Sequence, residues 1–221
     1  MRKTIFANKE YYHIYNRGVD GRKIFLDDSD YHRFLISMIL LNDKKEGLLE
    51  QWRNLKKCNR NISFLDFRRL NLRNPLVDFV AYCLNPNHYH FILRQLEDGG
   101  IKKIMHKLGT AYTMYFNRKQ KRSGALFQGR FKSINVDSNE YLLYLSAYVN
   151  KNNFIHGYGN QSWKYSSFGE YENNRGRINL CDCNPILSQF RNLKDYEDFL
   201  KINSEYLKKK KEDQKYLLED L

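Results

Sequence analysis

The chain has 221 residues, 42% hydrophobic and 15% aromatic, which excludes a disordered chain and suits one packed domain with appendages or two small ones. Its 38 lysines and arginines against 25 acids leave a formal charge of +13, a balance that favours nucleic acid or an anionic surface. The apolar runs are too short to cross a bilayer and Met1-Arg2-Lys3-Thr4 lacks a signal-peptide core, so no membrane partner and a cytoplasmic location are expected, with Cys58, Cys83, Cys181 and Cys183 reduced.

Residues 11 to 17 are rich in β-formers and stop at Gly18, the pattern of a first strand. Asp27-Asp28-Ser29 offers a helix N-cap, and Tyr31, Phe34, Leu35, Met38 and Ile39 follow at helical spacing. The segment of about 42–75 is less regular. It carries Trp52, Phe64 and a surplus of basic residues, and reads as a partly helical insertion, either a DNA-contacting arm or a solvated helical hairpin.

Residues 77–84 and 88–95 read as two strands joined by Asn85-Pro86-Asn87, a turn signal because proline fixes φ and asparagine tolerates the left-handed region. Side chains alternate along a strand, so His88 and His90 share one face and Tyr89 and Phe91 the other. Two imidazoles side by side can bind a divalent metal, though two ordinary hydrogen-bonded histidines give the same spacing.

Ile101, Ile104, Met105, Leu108, Ala111, Tyr112, Tyr115 and Phe116 trace the apolar stripe of a second helix. From Ile101 to Lys132 there are nine basic residues and no acid, whereas Lys194 to Leu221 has seven basic and eight acidic. The positive field is thus expected beside the histidine strands. Residues 129–136 suggest a fourth strand, and Asp137 with Glu140 a capping-box start to a third helix running to about Ile155, which sets Tyr148 and Asn152 on one helical face. An amide oxygen from Asn152 could then complete a His/His/amide site with a tyrosine hydroxyl one turn away. The order strand, helix, hairpin, helix, strand, helix is that of a ferredoxin-like α+β antiparallel sheet with helices on one face, an added helix, and the other face open to a ligand. A helical extension, 176–221, follows a 1–175 domain, and Cys181-Asp182-Cys183, with no second cysteine or histidine pair after it, reads as structural.

Several short motifs in one order resemble the single-tyrosine HUH transposases, in the branch of REP-associated tyrosine transposases: Tyr12-His13-Ile14-Tyr15-Asn16-Arg17-Gly18, Ile24-Phe25 with Asp27-Asp28 and Tyr31, Asn85-Pro86-Asn87-His88-Tyr89-His90, Tyr112-Thr113 with Phe116-Asn117-Arg118, Phe127-Gln128-Gly129-Arg130-Phe131-Lys132, Tyr148-Val149-Asn150-Lys151-Asn152, and Trp163-Lys164-Tyr165-Ser166-Ser167. The chain departs from the family pattern at Tyr89, where an apolar residue is usual, and at Asn153, where proline is usual. The resemblance does not cover 42–75 or the chain beyond 175. It implies a nuclease that cuts and rejoins single-stranded, hairpin-containing DNA through a 5′-phosphotyrosine, with Tyr148 as nucleophile and His88, His90 and Asn152 holding Mg²⁺ or Mn²⁺. Arg17, Lys102, Lys103, Arg118, Lys119, Arg130 and Lys132 are the candidate phosphate contacts. Family members include monomers and homodimers. A non-catalytic DNA- or RNA-binding protein on the same fold is the alternative, and a structural zinc site a third reading.

Overall fold

A computed structural model describes residues 4–70, 74–159, 163–173 and 179–219. Four antiparallel strands, β1 (Tyr11–Arg17), β2 (Val77–Asn85), β3 (His88–Gln95) and β4 (Lys132–Val136), form one sheet in the order β2-β3-β1-β4. Helices α1 (Asp28–Leu41), α2 (Leu48–Cys58) and α3 (Phe64–Leu70) lie between β1 and β2, and α4 (Gly100–Lys119) joins β3 to β4. After β4 come α5 (Asn139–Asn150), α6 (Asn152–Ile155), α7 (Phe168–Asn173), α8 (Asn184–Leu187) and α9 (Leu193–Glu219). Asp27 caps α1 as its sequence suggests, its side chain accepting from the Asp30 N–H.

Strand alternation divides the core in two. Tyr12, Ile14, Phe79, Phe91 and Leu93 point to one face, where Phe34 and Met38 of α1 and Ile104, Leu108 and Tyr112 of α4 cover them. Val80, Ala81, Cys83 and Ile92 join the other core with Leu142, Leu145 and Val149 of α5 and Tyr196 and Leu200 of α9. The second face is therefore not open along its length. The near-continuous apolar run of β2, buried on both sides, needs two covers. What remains for a ligand is the end of the sheet where β1 and β3 carry their histidines.

Two further details differ from expectation. The fourth strand begins at Lys132, because Gly129 takes a left-handed φ of +70° and turns the chain just before it. The cap of α5 is Ser138, whose hydroxyl accepts from Tyr141 N–H, so Asp137 lies one position outside the helix.

The outer edge of β2 is paired rather than bare. Leu84 N–H donates to Tyr165 O and Ser167 N–H to Tyr82 O, while Asp182 N–H donates to Phe79 O further along. Within segment 42–75, α2 and α3 form a helical hairpin, with the Trp52 ring 5.3 Å from Phe64 and 5.4 Å from Phe67. Asn42, 1% exposed, clamps its exit: its amide accepts from Leu76 and Val77 N–H and donates to Val77 O. Asn42→Ala strands three buried backbone groups at the entry to β2, and is expected to lower unfolding stability by about 2–4 kcal/mol in urea denaturation. Among the described residues no helix is long and apolar enough to cross a membrane.

Candidate active site

The turn before β3 is fixed from outside. Gly18 N–H donates to Asn87 O, and Ile24 and Phe25 N–H both donate to Pro86 O. Gly18 is required there, since a Cβ at this position would lie 2.2 Å from Arg22 O. His88 and His90 then follow on the strand, sharing the face that α5 covers.

His88 Nδ1 lies 2.7 Å from Asn87 Oδ1, an acceptor, which puts the ring proton on Nδ1 and leaves a lone pair on Nε2. That Nε2 faces Asn152 Oδ1 at 3.0 Å. Two acceptors so close repel unless a positive group bridges them. The Asn85 amide does so in part, its Nδ2 lying 2.7 Å from Asn152 Oδ1 and 2.9 Å from His88 Nε2. His90 presents one ring nitrogen to His13, with Nδ1 2.8 Å from His13 Nε2, and this contact fixes its orientation. His13 and Asn85 were not among the sequence candidates. Strand alternation could have found His13, because β1 pairs Tyr15 with His90 and so sets His13 on the same face.

Burial keeps all of these rings neutral. It pulls the His13 and His156 imidazoles down to about 4, lowers His88, and holds His90 well below its ordinary value, with neighbouring histidines adding to the effect at His90. Neutral imidazoles are the form that ligates metal. Among the described residues no group of three or more His, Cys, Asp or Glu side chains is arranged to hold a metal. The convergent set here is different in kind, two imidazoles and one amide oxygen, and its facing lone pairs fit a divalent cation.

Tyr148 comes from α5. Its ring stands edge-on to His90, with centroids 5.3 Å apart, and 6.0 Å from His13. The chain breaks helical geometry at Lys151 (φ −111°, ψ 16°), so Tyr148 lies in the last turn of one helix and Asn152 begins the next. Asn152 nonetheless still turns its side chain towards Tyr148. Burial raises the Tyr148 phenol, and the Asn152 amide opposes that rise. Asn152 is fully buried, and among the described residues its Nδ2 has no well-formed hydrogen bond, lying beside Tyr148 instead. Tyr112 and Tyr115 lie on the other side of the sheet, where Tyr112 Oη donates to Ile24 O and Tyr115 Oη to Asp30 Oδ1.

A sequence profile described as transposase IS200 like matches residues 68–152, a stretch that carries His88, His90, Tyr148 and Asn152. Over this segment the chain is similar to the IS200-like transposases. A solved structure of a REP-associated tyrosine transposase bound to a REP hairpin has the same fold, with a TM-score of 0.50 and 15% identity over 80% of this chain and 86% of that one. The fold that the sequence resemblance implied is therefore the one observed. No curated protein matches the chain.

Beyond the transposase segment, two more side chains reach the centre. His156, four residues after Asn152, places Nε2 3.4 Å from Tyr148 Oη, and its ring centroid is 5.2 Å from that of His88. Its Nδ1 lies 2.7 Å from Lys211 Nζ on α9. An ammonium donates only, so the neutral His156 ring carries its proton on Nε2 and directs it at the phenol oxygen. His156 was legible as a helical neighbour of Asn152; Lys211 was not, since nothing in a charged stretch says where a helix will dock.

The basic candidates divide. Arg17 pairs in register with His88 and donates to Gln128 Oε1, and Lys132 pairs in register with Tyr15, its ammonium 6.0 Å from that ring, so both flank the transposase-like centre. Lys102, Lys103, Arg118 and Lys119 ride on α4, on the opposite face of the sheet. Arg130 precedes β4 and, with Lys102 and His106, lines a cavity of about 970 Å³ between α4 and residues 125–131, which neither His88 nor His90 lines. Lys119 is held by Asp27 and the buried Asp30. Burial pushes the Cys183 thiol up to about 12 and Cys181 well above its ordinary value, in keeping with structural thiols.

Proposed function

We propose that the chain is a metal-dependent single-strand DNA nicking and joining enzyme, a transposase acting through a 5′-phosphotyrosine at Tyr148. The observation that carries this reading is the convergence of Tyr148 with His88, His90 and Asn152, a set that a mere DNA- or RNA-binding protein has no need to keep together.

In the first step Tyr148 Oη bonds to the scissile phosphorus and the P–O3′ bond breaks. The phenol loses its proton to solvent, the departing 3′ oxygen gains one, and the 5′ phosphate stays on the tyrosine. His156, with Nε2–H aimed at Oη, stabilises the phenolate as it develops, and Lys211 holds that tautomer. A divalent ion held by His88, His90 and Asn152, Mn²⁺ or Mg²⁺, would supply positive charge to a phosphate oxygen. Phenolate is a better leaving group than an alkoxide, so a DNA 3′-OH reverses the link without external energy, which suits strand transfer. Lys211→Met is expected to slow adduct formation about 3- to 10-fold in single-turnover assays without changing oligonucleotide affinity.

The substrate class we propose is a single strand carrying a hairpin, met by a DNA-associated cytoplasmic protein acting as monomer or homodimer. The domain division is 1–175 for the nuclease and 176–221 for an extension that lends Lys211 to it. The test is a labelled single-stranded oligonucleotide bearing a hairpin, drawn from the DNA flanking the coding sequence. With Mn²⁺ it should yield an adduct that survives denaturing electrophoresis and disappears under chelation. Metal-independent binding with no covalent product would favour the non-catalytic reading, and unfolding on chelation a structural metal.

A further inference from the structure

A second cationic feature lies far from Tyr148, in a groove of about 560 Å³ between α1, α2 and α4. Its charged lining is Arg33 from α1, Arg53 from α2, and Arg118 and Lys119 from α4, with Tyr115 and Met114 between them. No aspartate or glutamate lines it. The acids nearest in sequence are already engaged: Asp27 and Asp30 both bind Lys119, and Asp30, fully buried, also accepts from Leu26 N–H and Tyr115 Oη.

Three arginines are left without an acidic partner among the described residues. Arg33 is the telling one. Its Nε is shielded from solvent and has no hydrogen-bond partner, and its guanidinium stacks 5.5 Å from the Tyr115 ring centre. Burial lowers the Arg33 guanidinium from its ordinary value, and the Arg53 charge opposing it lowers it further. A shielded donor with nothing to donate to, facing a like charge, costs stability that folding alone does not recover. An anion seated between Arg33 and Arg53 removes both costs. Arginine forks suit phosphate oxygens, and Met114, 69% exposed, beside Tyr115 offers an apolar floor for a sugar or base.

We propose that this groove is a second DNA site, binding backbone phosphates on the face of the sheet opposite the histidines. It deepens the reading of the chain as a DNA-processing enzyme and rests on the DNA part of that reading alone. Arg53 stands on α2, in the helical insertion before the matched transposase segment, so the insertion has a role in binding, closing the third wall of a phosphate groove. DNA held there is anchored away from the cleavage centre, leaving its single strand free to reach round to Tyr148.

The test is fluorescence anisotropy of a labelled DNA stem-loop with a single-stranded 5′ flank, with chelator present so that nothing is cut. Arg53→Ala and Arg118→Ala, both at exposed positions, should each weaken binding about 3- to 10-fold near 0.1 M salt and reduce the slope of log K against log salt by about 1. Lys201→Ala, the same charge change on α9 across the sheet, should leave affinity and slope as they are. Circular dichroism establishes that each variant is folded. An Arg53→Ala, Arg118→Ala double variant with wild-type affinity and slope overturns the proposal, as does an equal loss in Lys201→Ala, which would mean only a diffuse field. Wild-type protein that fails to bind the stem-loop overturns the groove and the DNA reading together. Arginine-dependent binding here, with no covalent adduct in the separate Mn²⁺ assay, would leave the groove standing and remove only the role given to Tyr148.

Discussion

Tyr148→Phe is expected to abolish the covalent DNA adduct, a fall of at least about a thousandfold in single-turnover rate, while oligonucleotide affinity stays within about twofold. The change deletes one oxygen. That oxygen lies at a long 3.4 Å from His156 Nε2 and beside the Asn152 amide, and the ring keeps its packing against His90 and His13. Stability should therefore hardly move, and thermal melting checks that it does not. An undiminished adduct in the phenylalanine variant would end the assignment. Tyr112 and Tyr115 are poor replacements, because both hydroxyls are engaged on the far side of the sheet.

His88→Ala should cost nearly as much for a different reason. It removes a metal donor and, with it, the partner of Asn87 Oδ1 and the group that faces Asn152 Oδ1. Adduct formation at limiting Mn²⁺ is expected to drop at least about a hundredfold, and wild-type protein under chelation should behave like the variant. His88 is only half-buried and lies at the start of its strand, so unfolding stability should fall by no more than about 2 kcal/mol. If the variant instead unfolds as the chelated wild type does, the ion is structural and not part of the reaction. The two variants separate cleanly: Tyr148→Phe should still bind Mn²⁺, whereas His88→Ala should not.

The fold was largely readable because its signals are local. Alternation in β3 set His88 and His90 on one face, Asp27 announced α1, and the buried stripe of α4 fell where its periodicity put it. The candidate ligands His88 and Asn152, read from spacing together with family resemblance, face each other, and His90 stands beside Tyr148. The errors were of three physical kinds. Gly129 shortened β4, moving Arg130 out of the strand and onto the other side of the sheet. Four basic residues on α4 looked adjacent to the site in sequence, yet a helix that crosses the sheet carries its charges to the opposite face. Tertiary docking, the least local of all, brought Lys211 to His156 from fifty-five positions away. Asn85 and His13 are harder to read because each contacts another side chain of the candidate centre, Asn152 and His90, a relation no spacing rule encodes.

The paired edge of β2 bears on how the chain folds as it is made. Tyr82 and Leu84 find partners in residues 165–167, and Phe79 in Asp182, so the strand in the first half of the chain is sealed by segments in the last third. These are contacts of long sequence separation, the slow class to form. A nascent chain that has emerged only through α5 holds Tyr148, His88, His90 and a bare strand edge. It becomes a self-contained molecule only once the residues after Trp163 arrive to close it.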